Sequence, residues 1–435
     1  MTRSKTLAAI DVGSSKIATL IGQASEDSER INIIGAASIP STGIKKGQIV
    51  NIEEAAEGIV KSVEAAERMA GLSLSRVYVS VGGAHIASQN SHGVVAVTDP
   101  QGEIQPDDVR RVIEAARAVS LPSSREILHV IPRTFMVDSQ EGVADPVGMS
   151  GVRLEVETHI TTGSSTSIKN LVKCVSEVGA NIESLVFSGI AAAEAVLTPT
   201  EKELGVILVD IGGGTTSIVI FVDSAPAYTA VLPIGAKNVT NDLAIGLRLS
   251  LESAEKLKIS LGEKGRLKTI GGEESLEDKK EKDDEIDLGR LGIFEETKKV
   301  SRKTLVEGII KPRLNEIFGM VIAEIQRSGL AGLTPSGVVL TGGGALTFGV
   351  EDACRKALSL PVRVGVPHQV TGLIDDILDP AYAASVGLLL YGLKTNEGES
   401  LGSLSSLASL GQFTKKIPFK SMASRIGDFI KSFLP

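Results

Sequence analysis

Cysteine is scarce in this 435-residue chain: Cys174 and Cys354 are the only two. Two cysteines cannot form a disulfide framework and show no metal-ligand spacing, which suits a reducing cytosol. The five histidines (His85, His92, His129, His159 and His368) are equally scattered and read as structural or surface residues. No run reaches the ~18–20 apolar residues that a membrane span needs. The N-terminus meets the polar D-V-G-S-S-K before any long apolar stretch, so no signal peptide is expected. Net positive charge is also lacking. The formal charge is −8, and the last 23 residues contribute +4 of it, from five cations against Asp428, so residues 1–412 carry −12. An acidic body disfavours nonspecific nucleic-acid binding, whereas the basic end favours an anionic surface. The length allows roughly two to four domains at about 100–200 residues each, with sizeable cores.

What is present is a repeated local plan. The apolar run L-A-A-I ends in Asp11-Val-Gly13-Ser-Ser-Lys16 and is followed by I-A-T-L-I-G. Far along the chain, V-I-L-V ends in Asp210-Ile-Gly212-Gly-Gly214-Thr-Thr216, followed by S-I-V-I-F-V. Each reads as a strand, a Gly-rich turn and a second strand, and the recurrence predicts two related halves facing across a cleft. Residues 52–70 have helical spacing stopped by Gly71. R-V-Y-V-S-V reads as a strand. Residues 85–165 read as a small inserted α+β module with one helix from about Pro106 to Val119. Helical sequence follows around 236–260. A polar stretch follows from Gly262 to about Gly292, and its E-E-S-L-E-D-K-K-E-K-D-D-E run is expected to be a solvated, partly disordered loop. Residues 301–328 read as helix, broken or kinked at Pro312. The strand G-V-V-L leads into Thr341-Gly-Gly-Gly-Ala345, and residues 395–412, rich in Gly, Ser and Leu, read as a tether.

A phosphate chain needs backbone N–H donors at close approach, and glycine permits both the turn and the approach. Gly13, Gly212, Gly213 and Gly214 supply that backbone. Ser14, Ser15, Thr215 and Thr216 add hydroxyls, and Lys16 adds a cation. Asp11 and Asp210, ending the two strands, are the candidate ligands of a hydrated Mg²⁺, which takes oxygen donors and keeps several waters. Gly342, Gly343, Gly344 and Ala345 form a third turn against which a base or ribose can lie flat. One such turn is ordinary; two strand–Asp-x-Gly–strand hairpins followed by T-G-G-G-A point to a nucleotide cleft.

The last 23 residues, from Phe413, carry a different signal. Wound as a helix from Pro418, Phe419, Met422, Ile426, Phe429, Ile430 and Phe433 fall on one face, and Lys415, Lys416, Lys420, Arg425 and Lys431 lie before or beside it. An amphipathic basic helix behind a tether is a way for a protein to hold an anionic membrane surface.

These motifs resemble the actin/Hsp70/sugar-kinase superfamily and, within it, the FtsA family of bacterial cell-division proteins, over nearly the whole length. D-V-G-S-S-K-I resembles the first phosphate motif, D-I-G-G-G-T-T-S the second and T-G-G-G-A the adenosine motif. Gly235-A-K-Asn238-V-T-N-D-L resembles the segment that follows in FtsA proteins, and A-Glu255-K-L-Lys258 the adenine-side helix. The inserted module and the terminal helix select FtsA within the superfamily. The resemblance implies an α/β, duplicated actin-like ATPase fold of two ribonuclease-H-like halves. One half comprises 1–84, 166–198 and 371–394, with the insert at 85–165. The other comprises 199–232 and 303–370, with a subdomain at 233–302. A linker at 395–412 and the helix at 413–435 complete the chain.

The implied ligands are ATP and Mg²⁺, with Gly235, Asn238, Glu255 and Lys258 on the nucleotide. The implied partners are further copies in a filament, the acidic C-terminal tail of the tubulin-like FtsZ, other division proteins on the insert, and an anionic membrane surface; no nucleic acid is expected. Arg302 resembles a basic position of the FtsZ-tail site. The implied role is to tether the FtsZ ring to the cytoplasmic face of the membrane at the division site and to recruit later division proteins. A PilM-type pilus assembly protein, which shares the insert and lacks the terminal helix, is the alternative. A sugar kinase would need a catalytic base that is not found, and a chaperone would need a β-rich substrate domain. Where chaperones of the superfamily carry a glutamate that places the attacking water, this chain has Phe187-Ser188-Gly-Ile, so hydrolysis is expected to be slow or absent.

Overall fold

Strands Ser4–Val12 (β1), Lys16–Ser25 (β2) and Ile31–Pro40 (β3) open the chain as an antiparallel meander. The computed structural model describes residues 4–25, 30–270, 285–295, 297–373 and 377–401. Helix α1 (Ile52–Ala70) follows. Asn51 starts it by accepting the Glu53 and Glu54 N–H groups, and Gly71, at φ 70°, stops it, as its spacing predicts. Strand β4 (Arg76–Val81) then lies parallel to β1.

The chain leaves this half to build a separate module: β5 (Ala87–Ala96), α2 (Pro106–Arg117), β6 (Arg125–Val137), β7 (Gln140–Val143) and β8 (Arg153–Ser164). Its sheet, in the order β5-β8-β6-β7, carries α2 on one face, with Val109, Val112, Leu154 and Val156 in a core of its own. This is the insert expected from the sequence. The chain returns through α3 (Ser165–Ser176), β9 (Asn181–Phe187) and α4 (Ser188–Val196).

The second half repeats the plan with β10 (Val206–Ile211), β11 (Thr216–Val222), β12 (Ala225–Leu232), α5 (Ala236–Leu247), α6 (Leu251–Ile270), α7 (Lys311–Ser328), β13 (Val338–Thr341), α8 (Val350–Leu358) and β14 (Val362–Val364). Strand β15 (Val370–Gly372) returns to the first sheet, and α9 (Ala383–Leu401) closes the described chain. The sheets run β9-β4-β1-β2-β3-β15 and β12-β11-β10-β13-β14. Counted within each half, and leaving aside β15 at the edge of the first sheet, both follow the order third, second, first, fourth, fifth, which is the duplication that the two Asp-x-Gly hairpins imply. Val206, Ile207, Leu208 and Val209 are fully buried because β10 is central in its sheet and covered on both faces.

Three expectations about loops and helices change. The helix expected around 236–260 runs on, as α6, to Ile270; Glu285–Asp287 pairs with Lys299–Ser301 and Leu288–Leu291 is a 3₁₀ turn, while the charged run read as a loop lies, apart from Glu285, outside the described residues. The helix read over 301–328 is segmented into Arg302–Leu305, a π-turn at Val306–Ile310, and α7. Pro312 has no N–H to offer the carbonyl four residues earlier, so the backbone widens just before it. Helix α9 reaches Leu401, so the first seven residues read as tether are helical; the terminal helix at 413–435 lies outside the described residues.

The chain crosses between the halves twice, after α4 and before α9, and both crossings meet at Glu194. Its carboxylate pairs with Lys202 at 2.6 Å and with Lys394 of α9. Burial alone would raise its pKa, but the two lysines outweigh burial and hold it at about 2.

Candidate functional site

The two Gly-rich turns are built alike and meet face to face. In each, the glycine N–H closes a four-residue loop: Gly13 donates to Lys16 (3.1 Å) and Gly212 to Thr215 (2.8 Å). A methyl group at Gly213 would lie 2.8 Å from the Ser15 Cβ, and one at Gly214 would lie 3.0 Å from the Ser14 Cβ. Glycine is thus required where one turn touches the other. Between the halves lies a cleft of about 380 Å³, within the range of small-ligand sites.

Asp11 and Asp210 sit on its floor, at the ends of β1 and β10. Asp11 is oriented by two hydroxyls, Ser80 at 2.7 Å and Ser385 at 3.3 Å, and Ser80 also accepts the Val12 N–H at 2.9 Å. Burial raises the Asp11 pKa against those bonds. Burial, with the like charge of Asp11 adding to it, pushes Asp210 up to about 7. Two carboxylates that repel across a gap, each an oxygen donor, match the donor chemistry of a hard cation. Among the described residues no group of three or more His, Cys, Asp or Glu gathers to hold a metal, so the remaining ligands would have to be water or the bound molecule.

Lys16, Ser14, Ser15, Gly13, Gly212, Gly213, Thr215, Glu255, Lys258, Gly342, Gly343 and Gly344 all line the cleft. The Lys16 ammonium lies 3.1 Å from the centre of the Tyr382 ring. Burial lowers its pKa to about 8, against the pull of Asp11 and Asp379. Lys258 is buried, and its ammonium donates to Glu255 (2.7 Å) and to the Thr240 hydroxyl (2.9 Å), fixing a charged pair at the other end of the cleft.

Five expected residues do not line the cleft. The Thr216 hydroxyl is spent on the Ile234 carbonyl at 2.9 Å, and the Asn238 side chain accepts the Gly235 N–H at 3.2 Å, capping α5. Gly235 is pressed against the Gly212 and Gly213 carbonyls, and Gly214 against Ser14. Ala345 is buried within its 3₁₀ turn. The third Gly-rich turn is likewise shaped by protein contacts. Gly342, at φ 80°, would place a side chain 2.2 Å from an Asp210 oxygen, and Gly344 would meet Ile211 at 2.3 Å. Of the three glycines, only Gly343 is exposed.

The sequence reading missed Ser80, Ser385, Asp379, Gly47 and Lys237. Gly47 donates its N–H to the Ser14 hydroxyl at 2.8 Å, and the Lys237 ammonium donates to the Ser14 carbonyl at 2.7 Å. Ser188 lines the cleft at the start of α4, without a carboxylate at that position. Arg302 stacks over the Phe348 ring at 4.8 Å. Of the histidines, two are structural, His159 bridging Asn90 and Thr229 and His129 accepting the Phe187 N–H, while His92 lies at the surface beside Glu155.

Comparison with known proteins bears on this architecture. The family model described as "Cell division protein FtsA" matches residues 207–387, and that described as "SHS2 domain inserted in FTSA" matches residues 83–162. The Cell division protein FtsA of Pseudomonas aeruginosa is 40% identical over 398 residues, covering 91% of this chain and 92% of that relative. The chain belongs to the FtsA family of cell-division proteins. The Escherichia coli K12 FtsA is 34% identical over 424 residues, covering 96% of this chain and 97% of the relative. Among solved structures, the PilM-PilN type IV pilus biogenesis complex overlays with a TM-score of 0.60 at 16% identity, covering 89% of this chain and 98% of that one. MreB5 of Spiroplasma citri bound to ADP overlays at 0.51 and 13% identity, covering 90% of this chain and 98% of that one. These likenesses establish the actin-like fold. The FtsA insert model falls on the separately cored module between β4 and α3.

Proposed function

We propose that this FtsA-family chain binds ATP with Mg²⁺ in the cleft, and that the bound nucleotide favours a closed form that assembles with further copies. The assembly tethers the FtsZ ring to the cytoplasmic face of the membrane through the basic helix at 413–435. The observation that carries this reading is the pair of like-built turns facing each other over Asp11 and Asp210. With the Gly13 and Gly212 N–H groups closing the turns, the backbone N–H groups of Ser14, Ser15 and Gly213 would cradle phosphates, and the two aspartates would hold Mg²⁺ through water. Glu255 and Lys258, locked together, would flank the nucleoside. Contacts made from both halves at once give the nucleotide a differential affinity for the closed form, which is what shifts a population.

Hydrolysis would be slow, since Ser188 supplies no base where the cleft would need one to place water. The acidic tail of FtsZ would dock on the subdomain at 233–302, with Arg302 among its contacts, and the insert would recruit later division proteins. A PilM-type role is disfavoured because the likeness to PilM is one of fold alone, at 16% identity. The test is electron microscopy of the protein on an anionic lipid monolayer. Filaments lying on lipid with Mg-ATP, and none without nucleotide, are expected; a bare monolayer in both conditions rejects the reading.

A further inference from the structure

Three lysines line the cleft: Lys16, Lys237 and Lys258. Two are already engaged. Lys258 is buried on Glu255 and Thr240, and the Lys16 ammonium sits on the Tyr382 ring with Asp11 and Asp379 as its charged neighbours. Lys237 differs. It is exposed to the cleft, and its charged neighbours are Glu255, which is already held by Lys258, and Lys258 itself; among the described residues its ammonium makes no carboxylate ion pair within 4 Å. Its partner is a neutral backbone carbonyl, that of Ser14, at 2.7 Å.

Its position is unusual in a second way. The Lys237 backbone N–H donates to the Gly213 carbonyl at 2.9 Å, which pins the residue to the second turn, while its side chain ends on the first turn, 223 residues away in sequence. The ammonium therefore hangs between the two turns, contributed by one half and resting on the other. We propose that Lys237, rather than Lys16, supplies the cation that meets the phosphate chain of a nucleoside di- or triphosphate, and that it does so as a latch drawn across the cleft. This rests on the nucleotide reading above.

A phosphate oxygen is a charged acceptor and outcompetes a carbonyl for an ammonium. The side chain needs only to exchange one acceptor for the other, because its backbone is already fixed beside the phosphate turn. In the exchange the ligand replaces a bond between the halves with two bonds, one to each half. Affinity then reports phosphate content rather than the base, whereas Glu255 and Lys258 report the nucleoside.

The experiment is calorimetric titration of the full chain in Mg²⁺ buffer with ATP, ADP and adenosine, for wild type, Lys237→Met and Lys237→Arg. Lys237→Met is expected to weaken ATP and ADP by about tenfold or more, the scale of one charge-assisted hydrogen bond, and to leave adenosine unchanged. Lys237→Arg is expected to recover most of the loss. An unchanged ATP affinity in Lys237→Met overturns the assignment. So does an equal loss for adenosine, which would make the residue a structural prop. If the unmutated chain takes up none of the three, the nucleotide reading fails first and the latch falls with it.

Discussion

Gly387 of α9 lies directly against the backbone of Ala191 in α4: a methyl group at 387 would fall 1.7 Å from the Ala191 carbonyl oxygen. The two helices flank the crossings between the halves, and Ala191, Ala192, Ala193 and Ala195 keep the facing side of α4 small and fully buried. Gly387→Ala would therefore force the helices apart rather than fill a gap. A loss of about 2–3 kcal/mol is expected, on the scale of core overpacking, despite the better helix propensity of alanine. Chemical denaturation checks it; a variant as stable as the parent would mean that the helices separate without strain.

The facing turns give a second prediction. Gly213→Ala should push against Ser15 and open the cleft, weakening ATP binding severalfold. Adding Ser15→Gly removes the obstructing Cβ and should restore most of the affinity, because the two positions are in contact and their effects couple. Additive losses in the double variant would place the fault within the second turn alone.

A third concerns acid. Burial holds His129 at about 4 and His159 at about 3, with Arg133 and His129 adding to the latter. The Asn90 oxygen can only accept, so His159 donates to it through Nδ1 and accepts the Thr229 hydroxyl through Nε2. The folded state thus binds fewer protons than the unfolded chain below the ordinary pKa of 6.5. Stability from these groups is intact above pH 6.5 and is lost as pH falls toward 4, by roughly 2 kcal/mol for each histidine at pH 5. Thermal melts between pH 7.5 and 5 should fall accordingly, and His159→Gln should flatten the slope; an identical slope in the variant removes His159 from the account.

The fourth prediction tests the tail. Six large apolar side chains at ~1.5–3 kcal/mol each, offset by ordering the backbone, leave one copy bound weakly and many copies bound firmly. Phe429→Glu combined with Phe433→Glu should abolish co-sedimentation with anionic liposomes and leave ATP affinity unchanged. Undiminished pelleting would show that another part of the chain holds the lipid.

Much of the cleft was legible because its signals are local. An aspartate at a strand end, a glycine two residues later and a second strand define a hairpin within a dozen residues, and α1 announces itself by Asn51 and Gly71. What escaped comes from elsewhere in the chain. Ser80 reaches Asp11 because β4 runs parallel to β1, with Val79 level with Ile10, and no local pattern encodes that register. Ser385 and Asp379 arrive after the second crossing, and Lys237 from the far half. The glycines of T-G-G-G-A were read as room for a ligand. Gly342 and Gly344 line the cleft and also make room for Asp210 and Ile211, a second reason visible only once β13 lies beside β10.

The insert also touches the far half, and through an uncommon device. Ser88 of β5 offers its hydroxyl to both the N–H (3.0 Å) and the carbonyl (2.9 Å) of Thr229, and Asn90 donates to the Ala227 carbonyl at 3.3 Å. Strand β12 is the outermost strand of its sheet, the kind of open rim to which a stray chain can add itself. Here side chains of a neighbouring module occupy three groups of that rim, the Thr229 N–H and the Thr229 and Ala227 carbonyls. If copies of the chain assemble, this rim is the less open of the sheet's two edges, and the strand addition that turns ordered polymers into aggregates is hindered there.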